Sequence, residues 1–233
     1  MNKITSQQGF SLVEMMIAIT LASLITIMAL SMYFIQDRNI GIEEKRSGNI
    51  TLSETSYSSL SRLLRHALSN TVTINYGNGR LNTANNDSPE ISSDEMTVDF
   101  SLPPNYPIWP NDKLPYDKPW VRLHWSNRPQ ADAPYSITIA TAANPADLAN
   151  ATPGKLTPDE GENLIANLDF WPLDANGNVQ ASPQAAAPGG YLLSVTSRTT
   201  IPDQNYQHPR LAQNNPLAQF RTHSLQGVVS PRN

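Results

Sequence analysis

From Phe10 to Ile35 the chain reads FSLVEMMIAITLASLITIMALSMYFI, a run of 26 residues with no proline and one carboxylate, Glu14; Tyr33 is the only other ionisable side chain in it. As a helix rising about 1.5 Å per residue, the run is roughly 39 Å long, more than the roughly 30 Å of hydrocarbon that a membrane span must cross. It therefore predicts a membrane helix. The preceding MNKITSQQG is polar, with Lys3 and no acid, so its positive end is expected to stay in the cytoplasm and everything after Ile35 to be exported.

The remaining chain is ordinary enough to fold. Among 233 residues there are 16 Lys and Arg against 20 Asp and Glu, a formal charge of -4, which gives no broad basic field for nucleic acid. The absence of cysteine excludes a disulfide scaffold, thiolate zinc sites, iron-sulfur clusters and a cysteine nucleophile.

A secretory signal is cut after its apolar stretch, but the small residue at the sharp polar-to-apolar boundary here, Gly9, precedes it. Cleavage at that point leaves the span attached. The nine-residue leader followed by Gly9-Phe10-Ser11-Leu12-Val13-Glu14 resembles the class III signal of type IV pilins and type II secretion pseudopilins. The resemblance implies that a prepilin peptidase cuts after Gly9, that Phe10 becomes the N-methylated first residue, and that Glu14 is the fifth-position glutamate. It also implies contacts with other minor and major pilins, inner-membrane lipid and a pilus assembly platform. The helix-breaking proline of the family's outer span has no counterpart here.

Glu14 can be argued from physics as well. A carboxylate deep in a lipid-facing helix costs on the order of 3 kcal/mol, and no Lys or Arg lies near it in sequence. After cleavage the nearest cation is the Phe10 amine, largely protonated near neutrality and one helical turn away. In a staggered stack of helices the amine of one subunit can meet Glu14 of the next, and breaking such a pair strands a charge at roughly 3 to 5 kcal/mol. The rival reading is a plain signal anchor with Glu14 at the headgroup boundary.

Beyond Ile35, apolar residues at Ile50, Tyr57, Leu60, Leu64, Ala67 and Leu68 keep a helical period, so the helix is expected to continue outward to Ser69-Asn70. Gly41 and Gly48 weaken it by about 1 kcal/mol each, which predicts a bend or loosened turn. The run LSRLLRHAL at Leu60 to Leu68 resembles the end of the long helix in minor pilins of the PilW type, and the final Arg232-Asn233 matches a frequent terminal pair of that family. From Thr71 the period changes to that of strands: Thr71 to Tyr76, Glu95 to Leu102, Trp120 to Trp125, Tyr135 to Ala140, Asn167 to Leu173, Tyr191 to Thr200 and Phe220 to Val229. The connections are too short for crossover helices, which favours antiparallel pairing with one face on the outer half of the helix. The expected fold is α+β, a long N-terminal membrane-spanning helix packed on an antiparallel β-sheet head. Its divisions are a leader at 1–9, a helix at 10–70 with 10–35 in the membrane, and a head at 71–233.

Residue patterns that would carry chemistry are few. Asp174-Ala175-Asn176-Gly177-Asn178 starts like a calcium loop, but Val179 stands where glycine is needed and Ala185 where a bidentate Glu is needed; a type I′ hairpin through Asn176-Gly177 reads better. His66, His124, His208 and His223 have no metal-ligand spacing, and surface or capping roles suffice for them. The GxG at Gly77 to Gly79 lacks a third glycine and a following helix, and there is no GxSxG elbow. Trp109, Trp120, Trp125 and Trp171 with Arg122 and Arg128 suit a patch for single-stranded DNA or sugar, although strand positions of Trp120, Trp125 and Trp171 suit packing better. The Pro-rich stretch Pro103 to Pro119 reads as a semi-rigid surface loop. No enzyme, metal or cofactor is expected. The leading expectation is a minor type IV pilin that helps initiate a pilus and sits at its tip, held in the inner membrane before assembly. A J-like minor pseudopilin of a type II secretion system is the near alternative, and a signal-anchored periplasmic binding protein the distant one.

Overall fold

The computed structural model describes residues 11–76, 95–103, 118–126, 135–157, 163–180, 182, 186–203, 206–208 and 218–231. The chain divides into two compact units, Met1–Glu44 and Lys45–Asn233. One helix, α1 (Leu12–His66), contributes to both. It contains no proline, opens with Glu14 in its first turn and closes with Arg65 and His66 in its last, charges that suit the dipole at each end. Gly41 and Gly48 are helical, so neither interrupts the element. A single 3-10 turn, Ser69–Thr71, follows the helix end.

In the second unit two antiparallel sheets build the head. The first takes the order β1-β2-β3-β4-β5, from β1 (Thr73–Tyr76), β2 (Glu95–Ser101), β3 (Trp120–Ser126), β4 (Ile137–Ala142) and β5 (Gly154–Lys155). The second is β6 (Asn163–Pro172), β7 (Tyr191–Thr199) and β8 (Thr222–Val229), in that order. Every expected strand segment is present with ends shifted by a few residues, and all pairings are antiparallel. The expectation did not divide the strands between two sheets, and it omitted β5.

Period-two alternation explains the first sheet. Met96, Val98 and Phe100 of β2 and Val121, Leu123 and Trp125 of β3 point into the core, and their neighbours point out. On the outer face Asp99 lies directly opposite Arg122 and accepts two hydrogen bonds from it, at 2.8 and 2.7 Å. That pairing holds the Arg122 guanidinium above its ordinary pKa, chiefly through the Asp99 hydrogen bonds. The second sheet is joined to the same core. Trp125 Nε1 donates to the Ile165 carbonyl at 3.1 Å, the Ile165 amide donates to the Tyr135 carbonyl at 3.0 Å, and Phe170 stacks on Tyr191 at 4.6 Å.

From α1, Leu52, Leu60, Leu63 and Leu64, joined by Ala67 just past its end, enter this core. The inward stripe differs from the one read off apolar residues alone: it also carries Asn49, Ser53, Ser56 and Ser61, all buried, whereas Ile50 and Tyr57 are only half-buried. The architecture is α+β, a long helix whose apolar N-terminal half is exposed and whose polar half packs on antiparallel sheets.

Candidate functional site

The described N-terminal segment begins at Ser11; Gly9 and Phe10 lie outside the described residues. Ser11 is the N-cap of α1. Its hydroxyl accepts from the Val13 amide at 3.3 Å, and its own amide donates to Glu14 Oε2 at 3.0 Å. This reciprocal arrangement is a capping box, in which serine and the glutamate three residues later each satisfy a backbone donor that the helix leaves open. The S-x-x-E spacing at Ser11 to Glu14 was the signal for it, and the reading of Glu14 as a charge deep in lipid passed over it. In this geometry Glu14 is a terminal cap with its carboxylate exposed.

Past the cap, the helix presents apolar side chains on all sides. Leu12, Ile25, Ile27 and Phe34 are 76%, 65%, 67% and 66% exposed. Among the described residues α1 is the one helix long and apolar enough to cross a membrane. Its hydroxyls are turned back on the backbone: Thr20, Ser23 and Thr26 donate to the carbonyls of Met16, Ile19 and Ala22 at 2.6, 2.7 and 2.8 Å, and Ser31 donates to Met28 at 2.8 Å. A hydroxyl satisfied within its own helix can enter hydrocarbon without leaving a bare donor.

The half of α1 that belongs to the head uses polarity differently. Asn49 Nδ2 donates to the Arg221 carbonyl at 3.0 Å, and the Asn49 carbonyl accepts from Ser197 Oγ at 2.7 Å. Ser53 Oγ lies 2.6 Å from His223 Nδ1 and within hydrogen-bond distance of the Asn49 and Ile50 carbonyls, at 3.0 and 2.9 Å. Asn49 Oδ1 and Ser56 Oγ are buried without a hydrogen-bond partner. One turn on, Tyr57 lies over Gly227 of β8, where any Cβ would overlap the phenol oxygen. The seam joins helix to β7 and β8 with a glycine-sized recess and several long-range hydrogen bonds.

The other candidates are placed as follows. His223 is tied to Ser53 and His208 is buried, so surface or capping roles do not describe these two; His124 lies on the outer face of the first sheet, paired with Glu95 at 2.9 Å, and His66, in the last turn of α1, is half-buried. Burial pushes the His208 imidazole below its usual pKa. Among the described residues no group of three or more His, Asp or Glu is placed to hold a metal. Asp174 accepts from the Asn176 and Asn178 amides, both at 2.8 Å, so the calcium-like segment closes on itself as a turn, with Leu173 bridging Val179. Hydrogen bonds from Asn178, first of all, hold its carboxyl below the ordinary range. Gly177 alone in that turn has a positive φ, +82°, so the type I′ expectation is corrected: Asn176 keeps a negative φ and the turn ends on a left-handed glycine. Trp125 and Trp171 are buried and Trp120 half-buried, as packing requires, and Arg122 is committed to Asp99. Trp109, Arg128, Gly77 to Gly79, Ala185, Arg232-Asn233 and most of the Pro-rich stretch lie outside the described residues.

Residues 4–30 match the prokaryotic N-terminal methylation motif. No curated protein and no solved structure matches the chain. The matched segment contains Gly9, Phe10 and Glu14 and ends within the apolar half of α1. A prepilin-like signal on a membrane-capable helix, followed by an antiparallel sheet head, supports a protein of the type IV pilin or pseudopilin kind, a class whose members are generally structural. Such a signal implies processing by a prepilin peptidase and association with other pilins.

Proposed function

We propose that this chain is a minor type IV pilin, a non-covalent subunit that helps initiate pilus assembly and takes a place at the pilus tip. The observation that carries the reading is the methylation motif over residues 4–30, continuous with an exposed apolar helix of sufficient length to span a bilayer. In this reading the peptidase cuts between Gly9 and Phe10, Phe10 is methylated, and the helix stays in the inner membrane with its N-terminus cytoplasmic and the head periplasmic. Assembly exchanges lipid contacts for contacts with neighbouring helices.

Glu14 would then change partner. Before processing it caps Ser11; afterwards the new amine at Phe10 offers it a full positive charge, from its own chain or from the subunit alongside. A misregistered subunit would leave this carboxylate unpaired in a low-dielectric bundle, at roughly 3 to 5 kcal/mol.

Intact mass of the protein purified from its native membrane tests the first step. Loss of Met1 to Gly9 plus one added methyl group is expected; retention of the leader in cells with an active prepilin peptidase refutes the reading. Deletion of the gene distinguishes the two filament systems. Loss of surface pili with unimpaired protein secretion is expected, whereas loss of secretion with intact pili identifies a type II secretion pseudopilin.

A further inference from the structure

Among the described residues, three arginines on or next to the strands of the head are partly buried, and two of them are neutralised. Arg122 has Asp99, and Arg221 has Asp203 at 2.9 Å. The side chain of Arg198, on β7, has no carboxylate and no hydrogen-bond partner among the described residues. Its guanidinium is held over the Phe220 ring, 4.8 Å from the centroid, and beside the Tyr135 ring at 5.7 Å. Its Nε is sealed from solvent without a partner; the Nη groups are not. Tyr135 is the one non-glycine residue with a positive φ among those described, at 57°, and its carbonyl is bonded to the Ile165 amide. Burial lowers the Arg198 pKa, the direction expected for a cation lacking an anion. Stacked rings fix a guanidinium plane and strip its faces of water, leaving the Nη edge as a planar fork matched to one carboxylate.

A second feature adjoins it. Thr222 of β8 is the register partner of Arg198, and β8 is an edge strand. The Thr199 amide donates to the Arg221 carbonyl, so Arg221, His223, Leu225 and Gly227 face β7 through their backbone. Thr222, Ser224, Gln226 and Val228 consequently turn their amides and carbonyls outward, and no hydrogen bond among the described residues reaches those groups. The edge has none of the usual guards: from Thr222 to Val229 there is no Lys, no Pro and no bulge.

We infer that the head binds an extended acidic segment of a partner polypeptide, added as a strand along the open edge of β8 with one of its carboxylates on the Nη edge of Arg198. The open backbone edge selects a polypeptide, because only a peptide main chain offers donors and acceptors at strand spacing. One uncompensated cation selects a single carboxylate over a multiply charged phosphate, which needs several donors. The site is a property of the head alone and stands whether or not the filament reading holds.

The test uses the full chain in detergent micelles and a peptide of about eight alternating Thr and Val residues carrying one Glu, a length that spans the outward groups of β8. Its Gln twin, an alginate oligomer and inorganic polyphosphate serve as comparators. The Glu peptide is expected to bind at least five-fold more tightly than the Gln twin, with a preference that falls as salt rises. Arg198→Met should abolish the preference, and Arg198→Lys should weaken it. Gln226→Pro removes an outward amide and no bond to β7, so it should lose both peptides while the unfolding midpoint stays within a degree or two of the parent. No binding of the Glu peptide, or a preference that survives Arg198→Met, overturns the inference. Binding unaffected by Gln226→Pro overturns strand addition. Alginate or polyphosphate bound through Arg198 more tightly than the peptide overturns the choice of polypeptide.

Discussion

The two halves of α1 solve the same problem in opposite ways. In Leu12–Ile35 the hydroxyls of Thr20, Ser23, Thr26 and Ser31 are satisfied inside the helix, and the surface offered outward is predominantly apolar. In Lys45–His66 the polar atoms of Asn49 and Ser53 reach across to β7, β8 and the Arg221 carbonyl, while the apolar side chains are confined to one face. The first half is finished as a helix and unfinished as a surface. The second is committed to one sheet, at long-range contacts such as Asn49 to Arg221 and Ser53 to His223. A chain built this way can exchange its surroundings along one half without disturbing the fold of the other.

That separation is open to direct challenge, and the largest expected effect is at Glu14. Glu14→Ala removes both cap and charge, whereas Glu14→Gln keeps a capping side chain and loses only charge. If the charge sets register, both variants should reduce incorporation into sheared surface filaments by ten-fold or more while the urea midpoint of the head stays unchanged. Normal incorporation of Glu14→Gln would show that the cap is all that matters. The converse case is Trp125→Ala, which opens a cavity between the sheets and strands the Ile165 carbonyl; it should destabilise the head by about 3 to 5 kcal/mol in urea unfolding and leave membrane association intact.

Smaller effects refine the picture of the seam. Ser56 Oγ is buried without a partner, so Ser56→Ala should be neutral or stabilising, by up to about 1 kcal/mol in the same assay. Destabilisation beyond that would mean the hydroxyl has a role the contacts do not show. The least effect belongs to His208, whose pKa burial lowers. The unfolded state then binds the proton more readily, so the contribution of His208 is fully present above the ordinary histidine pKa and fades as pH falls through that value toward the depressed one. Unfolding midpoints from pH 7.5 down to about 5 should show a slope that His208→Gln flattens; an identical slope would exclude His208 as its source.

Strand segments such as Glu95 to Leu102 and Trp120 to Trp125 were legible because one face of each is buried and alternation records that directly. The two residues of β5 carry no period, and the split into two sheets depends on partners that local pattern does not encode. On α1, Asn49, Ser53 and Ser56 were left out of the expected inward stripe because a buried polar side chain looks the same in sequence as one in water. The histidines were hidden likewise: His223 meets Ser53 170 residues away, and His124 meets Glu95 29 residues away. Arg198 could not be singled out from other arginines, since what distinguishes it is the acid it lacks in three dimensions. The Ser11 to Glu14 box was readable, and was obscured by the stronger expectation attached to the same glutamate.

The inward-turned hydroxyls of Thr20, Ser23, Thr26 and Ser31 have a mechanical consequence. A rod whose hydroxyls are answered within itself offers its neighbours few hydrogen bonds by which to fix their relative height. In the filament reading proposed above, axial position then falls to an extremity, where Glu14 and the amine freed at Phe10 are the groups that seek an opposite charge.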